Sequence, residues 1–187
     1  MNVYDFDGTI YKKDSSIELY KYVIKRKPFI LPLCFSKQIV AIVKYKRAMI
    51  TKEEMKEAYF CFLKYIDIDN ILNQFVDSQI KFINKWYLKQ RKSDDVIISA
   101  SPAFLINKFA DKINVKNVIA SEVNIHSGKF NSLNCFGHQK VIRFKEQYPN
   151  ETVHEFYSDS ISDMPMACLA ENAFMVKKGN IVKWEIN

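Results

Sequence analysis

An α/β protein with a parallel sheet, interrupted after its first strand by a helical insertion, is the fold class the sequence predicts. Three observations carry it. Outside residues 12–92, short apolar runs alternate with segments of helical period, the pattern of a parallel sheet with crossover helices. Residues 10–95 separate the first run from the second, where a βαβ unit needs only about 30. The charge also changes sign: residues 12–92 hold 18 Lys and Arg against 8 Asp and Glu, and the remainder 10 against 13, a net of +10 beside one of −3. The division is therefore residues 1–11 and 93–187 as the core, and 12–92 as the insertion.

The expected strands are Asn2 to Asp5, Val96 to Ser99, Val118 to Ala120, Val153 to Tyr157 and Ala173 to Val176. Core helices are expected near Ala103 to Ile113, His138 to Tyr148 and Ile161 to Ala170, with Pro149-Asn150 as a breaker. Val123 to Leu133 reads as a small hairpin turning at Ser127-Gly128. In the insertion, Ile17 to Lys25 and Gln38 to Arg47 read as helices. Thr51 with Glu54 forms a capping-box signature before Met55, Ala58, Tyr59, Phe62, Leu63 and Ile66, and one further helix runs from about Ile71 to Gln90.

Composition removes several classes. With 187 residues, 48% hydrophobic, four Gly and five Pro, the chain is neither disordered nor collagen-like. Cys34, Cys61, Cys135 and Cys168 are scattered, which signals neither a zinc site nor a disulfide framework and predicts reduced core thiols. Residues 1–10 carry Asp5 and Asp7 and no basic segment, so a secretory signal does not fit, and no apolar run approaches the roughly 18 residues of a membrane span. A cytoplasmic setting follows as an expectation. The net charge of +7 suggests an anionic partner.

Four stretches carry chemistry. Asp5-Phe6-Asp7-Gly8-Thr9 follows the first strand; a calcium loop would need Gly and Glu where Ile10 and Ser16 stand, so an EF-hand is rejected. Ligands of open α/β sheets bind beyond the carboxyl ends of strands, where Asp5 and Asp7 fall. Paired carboxylates on one turn repel unless a cation joins them. Tyr157-Ser158-Asp159 through Asp163 repeats the pattern after another strand, giving an oxygen-rich site suited to Mg²⁺. Ser99-Ala100-Ser101-Pro102 ends a third strand in hydroxyls, with Ser101 expected as helix N-cap, Pro102 at the first helical position, and Ser99 free to hold a phosphate oxygen. Lys140 opens a later helix.

In this order and spacing the four stretches resemble the haloacid dehalogenase superfamily, specifically its phosphoserine-phosphatase-like subfamily with a helical cap between the first and second motifs. The resemblance implies a Rossmann-like three-layer core with residues 12–92 as the cap, and a phosphomonoester hydrolase working through an aspartyl-phosphate. It implies Asp5 as nucleophile and Asp7 as general acid and base. It further implies Gly8, Thr9, Ser99, Ala100 and Lys140 around the substrate phosphate, Mg²⁺ held by Asp5, Asp7 and Asp159, and Asp163 next to that shell. Asp14 matches the acidic cap residue that meets the substrate amine in phosphoserine phosphatases.

The leaving group is to be read from the cap. The resemblance implies a small phosphorylated metabolite as substrate, but the cap arginine that holds the serine carboxylate in phosphoserine phosphatases has no counterpart in Thr51 to Tyr65, which speaks against phosphoserine itself. From Leu19 to Lys52 nine basic residues and no acidic ones are interleaved with apolar side chains. That pattern fits either a self-packed cap helix pair or a surface peripheral to the inner face of a membrane, with phosphatidylglycerophosphate or another lipid phosphate as substrate. A non-catalytic nucleic-acid-binding domain is the third reading, supported by charge alone and by no recognition module. No residue pattern signals an oligomeric state.

Overall fold

A computed structural model describes residues 1–185. One sheet of six strands contains β1 (Asn2–Tyr4), β2 (Val96–Pro102), β3 (Asn117–Ser121), β4 (Glu155–Ser158), β5 (Asn172–Lys177) and β6 (Asn180–Lys183), in the order β3-β2-β1-β4-β5-β6. The first five are parallel, and β6 returns antiparallel to β5. β6 is absent from the sequence expectation. Its turn, Lys178-Gly179, has positive φ at both residues, 52° and 83°, but carries Lys where Asn, Asp or Gly would have announced a hairpin.

Strand alternation splits the core. Tyr4, Ile97 and Tyr157 face one side of the sheet with Phe109 of α6 (Ala103–Lys112), while Val3, Val96, Ile98 and Phe156 face the other with Phe144 of α7 (His138–Gln147) and Met166 of α8 (Met164–Ala167). Tyr4, Tyr157 and Phe174 lie in register on neighbouring strands and stack, each adjacent pair of rings 4.8 Å apart.

Between β1 and β2 run five helices: α1 (Ser15–Arg26), α2 (Ile30–Lys46), α3 (Lys52–Tyr59), α4 (Ile68–Gln79) and α5 (Lys85–Gln90), with 3₁₀ turns at Phe60–Tyr65 and Ile80–Phe82. The capping box forms as read: Thr51 accepts from the Glu54 N–H, and Glu54 from the Thr51 N–H. Four helices depart from expectation, the one after Thr51 by ending at Tyr59, with Phe60–Tyr65 a 3₁₀ turn where the helical period was read on to Ile66. The apolar run before Gln38 joins α2, since Pro32 falls in the first turn, where its missing N–H costs nothing. The expected helix 71–90 breaks because Ile83 bridges Tyr11 and the Asn84 N–H donates to Ile10 O at 2.8 Å, tying the chain leaving the insertion to the chain entering it. The expected helix 161–170 shrinks to α8 behind a 3₁₀ turn at Ile161–Asp163.

The insertion and the sheet share one buried cluster. Leu19, Phe75 and Tyr87 join Tyr4, Ile97 and Phe109, and the Tyr87 ring meets Tyr4 edge-on at 4.9 Å. Cys34, Cys61 and Cys135 are buried free thiols as expected, but Cys168, just past α8, is exposed. The 123–133 hairpin reduces to a single bridge, Val123 to Phe130. Among the described residues no helix is long and apolar enough to cross a membrane.

Candidate active site

The strand order reverses between β1 and β4, and a crevice opens beyond their carboxyl ends, the usual ligand position in such sheets. Asp5 follows β1 directly, its N–H donating to Tyr157 O at 2.8 Å, so its backbone is held by the neighbouring strand. The chain then turns through Asp7 and Gly8. A Cβ on Gly8 would stand 1.9 Å from Asp159 Oδ2, and φ there is +76°, so glycine is required for the turn to pass under the Asp159 carboxylate.

The two aspartates of this turn have different partners. Asp5 Oδ1 accepts from Lys140 Nζ at 2.6 Å, and the same ammonium donates to Asp163 Oδ2 at 2.7 Å. Asp163 is fixed in turn by the Ser158 hydroxyl at 2.7 Å. Asp7 instead accepts from the Ser15 N–H at 2.7 Å and from the Ser101 hydroxyl. Ser101 is therefore not the N-cap of α6: β2 continues through Pro102, which occupies the cap position, and the Ser101 hydroxyl turns to Asp7. Ser99 lies buried beneath, its Oγ accepting the Ser101 N–H at 3.1 Å.

Charge at the site is unbalanced. Burial, with negative Asp163 and Asp7 nearby, raises Asp5 above the usual carboxylate range against the pull of Lys140. Burial first, then Asp14, pushes Asp7 up to about 6, while Ser101 and Ser15 draw it down. Burial works to lower Lys140, but the Asp5 and Asp163 carboxylates outweigh it and hold the ammonium charged. Asp159 is raised by burial and by Asp163, and takes no ion pair or side-chain hydrogen bond among the described residues.

Asp5, Asp7, Gly8, Asp14, Ser99, Ala100, Lys140, Asp159 and Asp163 line one cavity of about 540 Å³. Thr9 does not. It is fully buried, its carbonyl accepting from Asn84 Nδ2 at 2.6 Å, and it fastens the root of the insertion rather than facing the cavity. Asp14 caps α1, accepting from the Ile17 N–H at 2.8 Å, with its residue still on the cavity wall.

Lys52 and Lys56 also reach the cavity, and the sequence reading did not single them out. The available signal was their i, i+4 spacing behind the capping box, which sets both on one face of α3. Lys56 Nζ donates to Ala100 O at 2.8 Å and Asn134 Oδ1 at 3.1 Å and has no ion pair among the described residues; burial, and then Lys52, bring it down to about 8. Lys52 Nζ sits 3.1 Å from the centroid of the Phe136 ring. A larger cleft, about 630 Å³, lies between β3 and α7 and holds none of the expected site residues; its Arg143 is occupied with the Ala120 and Leu133 carbonyls.

Among the described residues no three His, Cys, Asp or Glu side chains cluster into a complete metal cage. Mg²⁺ asks for less, one or two carboxylates with water and substrate oxygens completing its shell. Asp5 and Asp163 share the Lys140 ammonium, and Asp159, unpaired among the described residues, stands beside the Asp5–Gly8 turn, an oxygen donor set that fits this ion.

The fold is similar to that of a protein of unknown function from Bordetella pertussis Tohama I, with a TM-score of 0.72 and 16% identity over 92% of this chain and 87% of that one. A probable phosphoserine phosphatase from Vibrio cholerae, unliganded, gives 0.63 at 13% identity over 92% of this chain and 55% of its own. A substrate-bound phosphoserine phosphatase gives 0.56 at 13% identity, over 91% and 82%. At such identities the likeness is one of fold. A search of curated proteins finds no match. The family model of haloacid dehalogenase-like hydrolases, however, matches residues 3–167, a span holding every motif residue of the cavity, and the chain belongs to that family.

Proposed function

We propose that this protein is a Mg²⁺-dependent phosphatase that hydrolyses a small phosphorylated metabolite through an aspartyl-phosphate on Asp5. The observation that carries the reading is the division of labour on one turn, Asp5 paired with an ammonium and Asp7 with neutral donors. Asp5 Oδ2, which takes no hydrogen bond among the described residues, attacks phosphorus as the bond to the leaving oxygen breaks. Asp7, carrying a proton on part of the population near neutrality, gives it to that oxygen. Asp7 then takes a proton from the water that attacks phosphorus and releases Asp5. Lys140 and Ser99 face the phosphate oxygens, with the Gly8 and Ala100 backbone beside them. A bound Mg²⁺, held by Asp5, the Asp7 carbonyl and Asp159, would supply the charge neutralisation that lets a phosphate approach a carboxylate.

The leaving group faces α3. Lys56, a cation near neutrality with no counterion among the described residues, together with Lys52, favours a metabolite with a second acidic group over a plain alkyl phosphate. Phosphate release from a panel of phosphomonoesters, with Mg²⁺ and with a chelator, tests the reading. Asp5→Asn is expected to reduce turnover at least about a thousandfold, and the chelator to abolish it. Appreciable turnover by Asp5→Asn would remove the covalent route.

A further inference from the structure

The face of α2 turned away from the molecule is apolar, unlike a surface helix packed on its own domain. Only a narrow stripe is buried: Ile30, Cys34, Gln38 and Ala41. On a helix of 3.6 residues per turn, Phe35, Ile39, Val40 and Val43 fall on the opposite side, and they are 55, 45, 52 and 42% exposed. The helix cannot roll to hide them. Gln38, inside the buried stripe, donates to Tyr59 O at 2.9 Å and accepts from the Tyr20 hydroxyl at 2.8 Å, which fixes the rotation of α2.

Charge along α2 itself has one sign. Lys37, Lys44, Lys46 and Arg47 form no ion pair among the described residues, and no acidic residue occurs from Leu19 to Lys52. Lys37 and Lys44 stand at one edge of the apolar face, beside a groove of about 390 Å³ between α2 and α3 floored by Val40, Ala41 and Ala58, with Glu54 of α3, already engaged in its capping box, on the far wall. Long lysine stems flanking an apolar strip are the arrangement that seats a helix at a lipid interface, heads toward phosphates and apolar side chains toward acyl chains. A second copy meets this face with the same uncompensated positive charge, which opposes self-association. At 17 residues, and too polar for a span, the helix would lie in the plane of the interface.

We infer that the outer face of α2, with Lys37 and Lys44 at its edge, docks on an anionic lipid bilayer. The inference stands apart from the catalytic reading, because it concerns a surface outside the cavity. It is tested by flotation of the purified protein with vesicles of phosphatidylcholine alone and of equal parts phosphatidylcholine and phosphatidylglycerol, in low and high salt. The protein is expected to float with the anionic vesicles only, and less in high salt. Phe35→Glu/Ile39→Glu/Val43→Glu is expected to weaken that binding at least about tenfold while hydrolysis of a soluble phosphomonoester by the same preparation is unchanged. Lys37→Gln/Lys44→Gln, exposed positions outside the apolar face, serves where the triple variant does not fold, and is expected to weaken binding in low salt. Sedimentation of the wild type without either vesicle, or equal flotation with both, would overturn the inference. So would a wild-type dimer in gel filtration that the triple variant converts to monomer, since the face would then join copies of the chain.

Discussion

Gly8 is the residue with least room for change. In Gly8→Ala the added carbon meets the Asp159 carboxylate in a backbone conformation that alanine disfavours, so turn and carboxylate must move apart. A displacement of that size is expected to lower kcat/KM at least about a hundredfold with the far-UV circular dichroism of the wild type retained; near-normal kcat/KM would show that Asp159 has no fixed place in the reaction. Lys56 gives a different signature. Held down to about 8 by burial, it is a cation below that pH and neutral above it, so KM should rise as pH passes upward through about 8. Lys56→Met should raise KM roughly tenfold at neutral pH and flatten that rise, with kcat little changed. A pH-independent wild-type KM would sink the assignment. Asp5, Asp7, Asp159 and Asp163 were legible in the sequence because each stands a few residues past an apolar strand, so a local pattern places them at the sheet's edge. Ser101 and Lys56 were not, since their roles come from Asp7 and Asn134, partners distant in the chain.

Among the elements, α3 connects the insertion to the chemistry, and its first turn sets its direction. Thr51→Ala removes the side-chain half of the capping box and is expected to cost about 1 kcal/mol, read as a lower urea midpoint at unchanged m-value. Because Lys52 and Lys56 ride on this helix, KM should rise as well; a wild-type midpoint would mean the helix is held by its packing alone. The five parallel strands were read to within a few residues of their ends, since continuous apolar runs and flanking turn residues are local signals, whereas the exposed β6 left no such run. The insertion was read less well. The break at Ile83 and Asn84 answers to hydrogen bonds with residues 9–11, which helical periodicity in that segment does not register. α2 was begun too late because its apolar residues surround the helix instead of marking one face.

For the whole molecule, the sign change of charge does not correspond to a break in the core. Leu19, Phe75 and Tyr87 of residues 12–92 are buried in one cluster with the sheet residues Tyr4 and Ile97. Insertion and sheet are therefore expected to unfold together. Trp86 packs on the shared cluster and Trp184 in the cluster on the opposite face, so their combined fluorescence should report the same denaturant midpoint as far-UV circular dichroism. Two separated transitions would show the insertion to be independent. The placement of β1 has a further result, in the order of assembly. Val3 pairs with Val96 on one side and Phe156 on the other, so β1 waits for residue 96 before it has one partner and for residue 156 before it has both. Closing those long loops is the entropically slow part of folding, and Asp5 takes its place only when both are closed. A nascent chain thus stays catalytically silent until β4 is complete, and until then its apolar first strand is the segment most in need of protection from other chains.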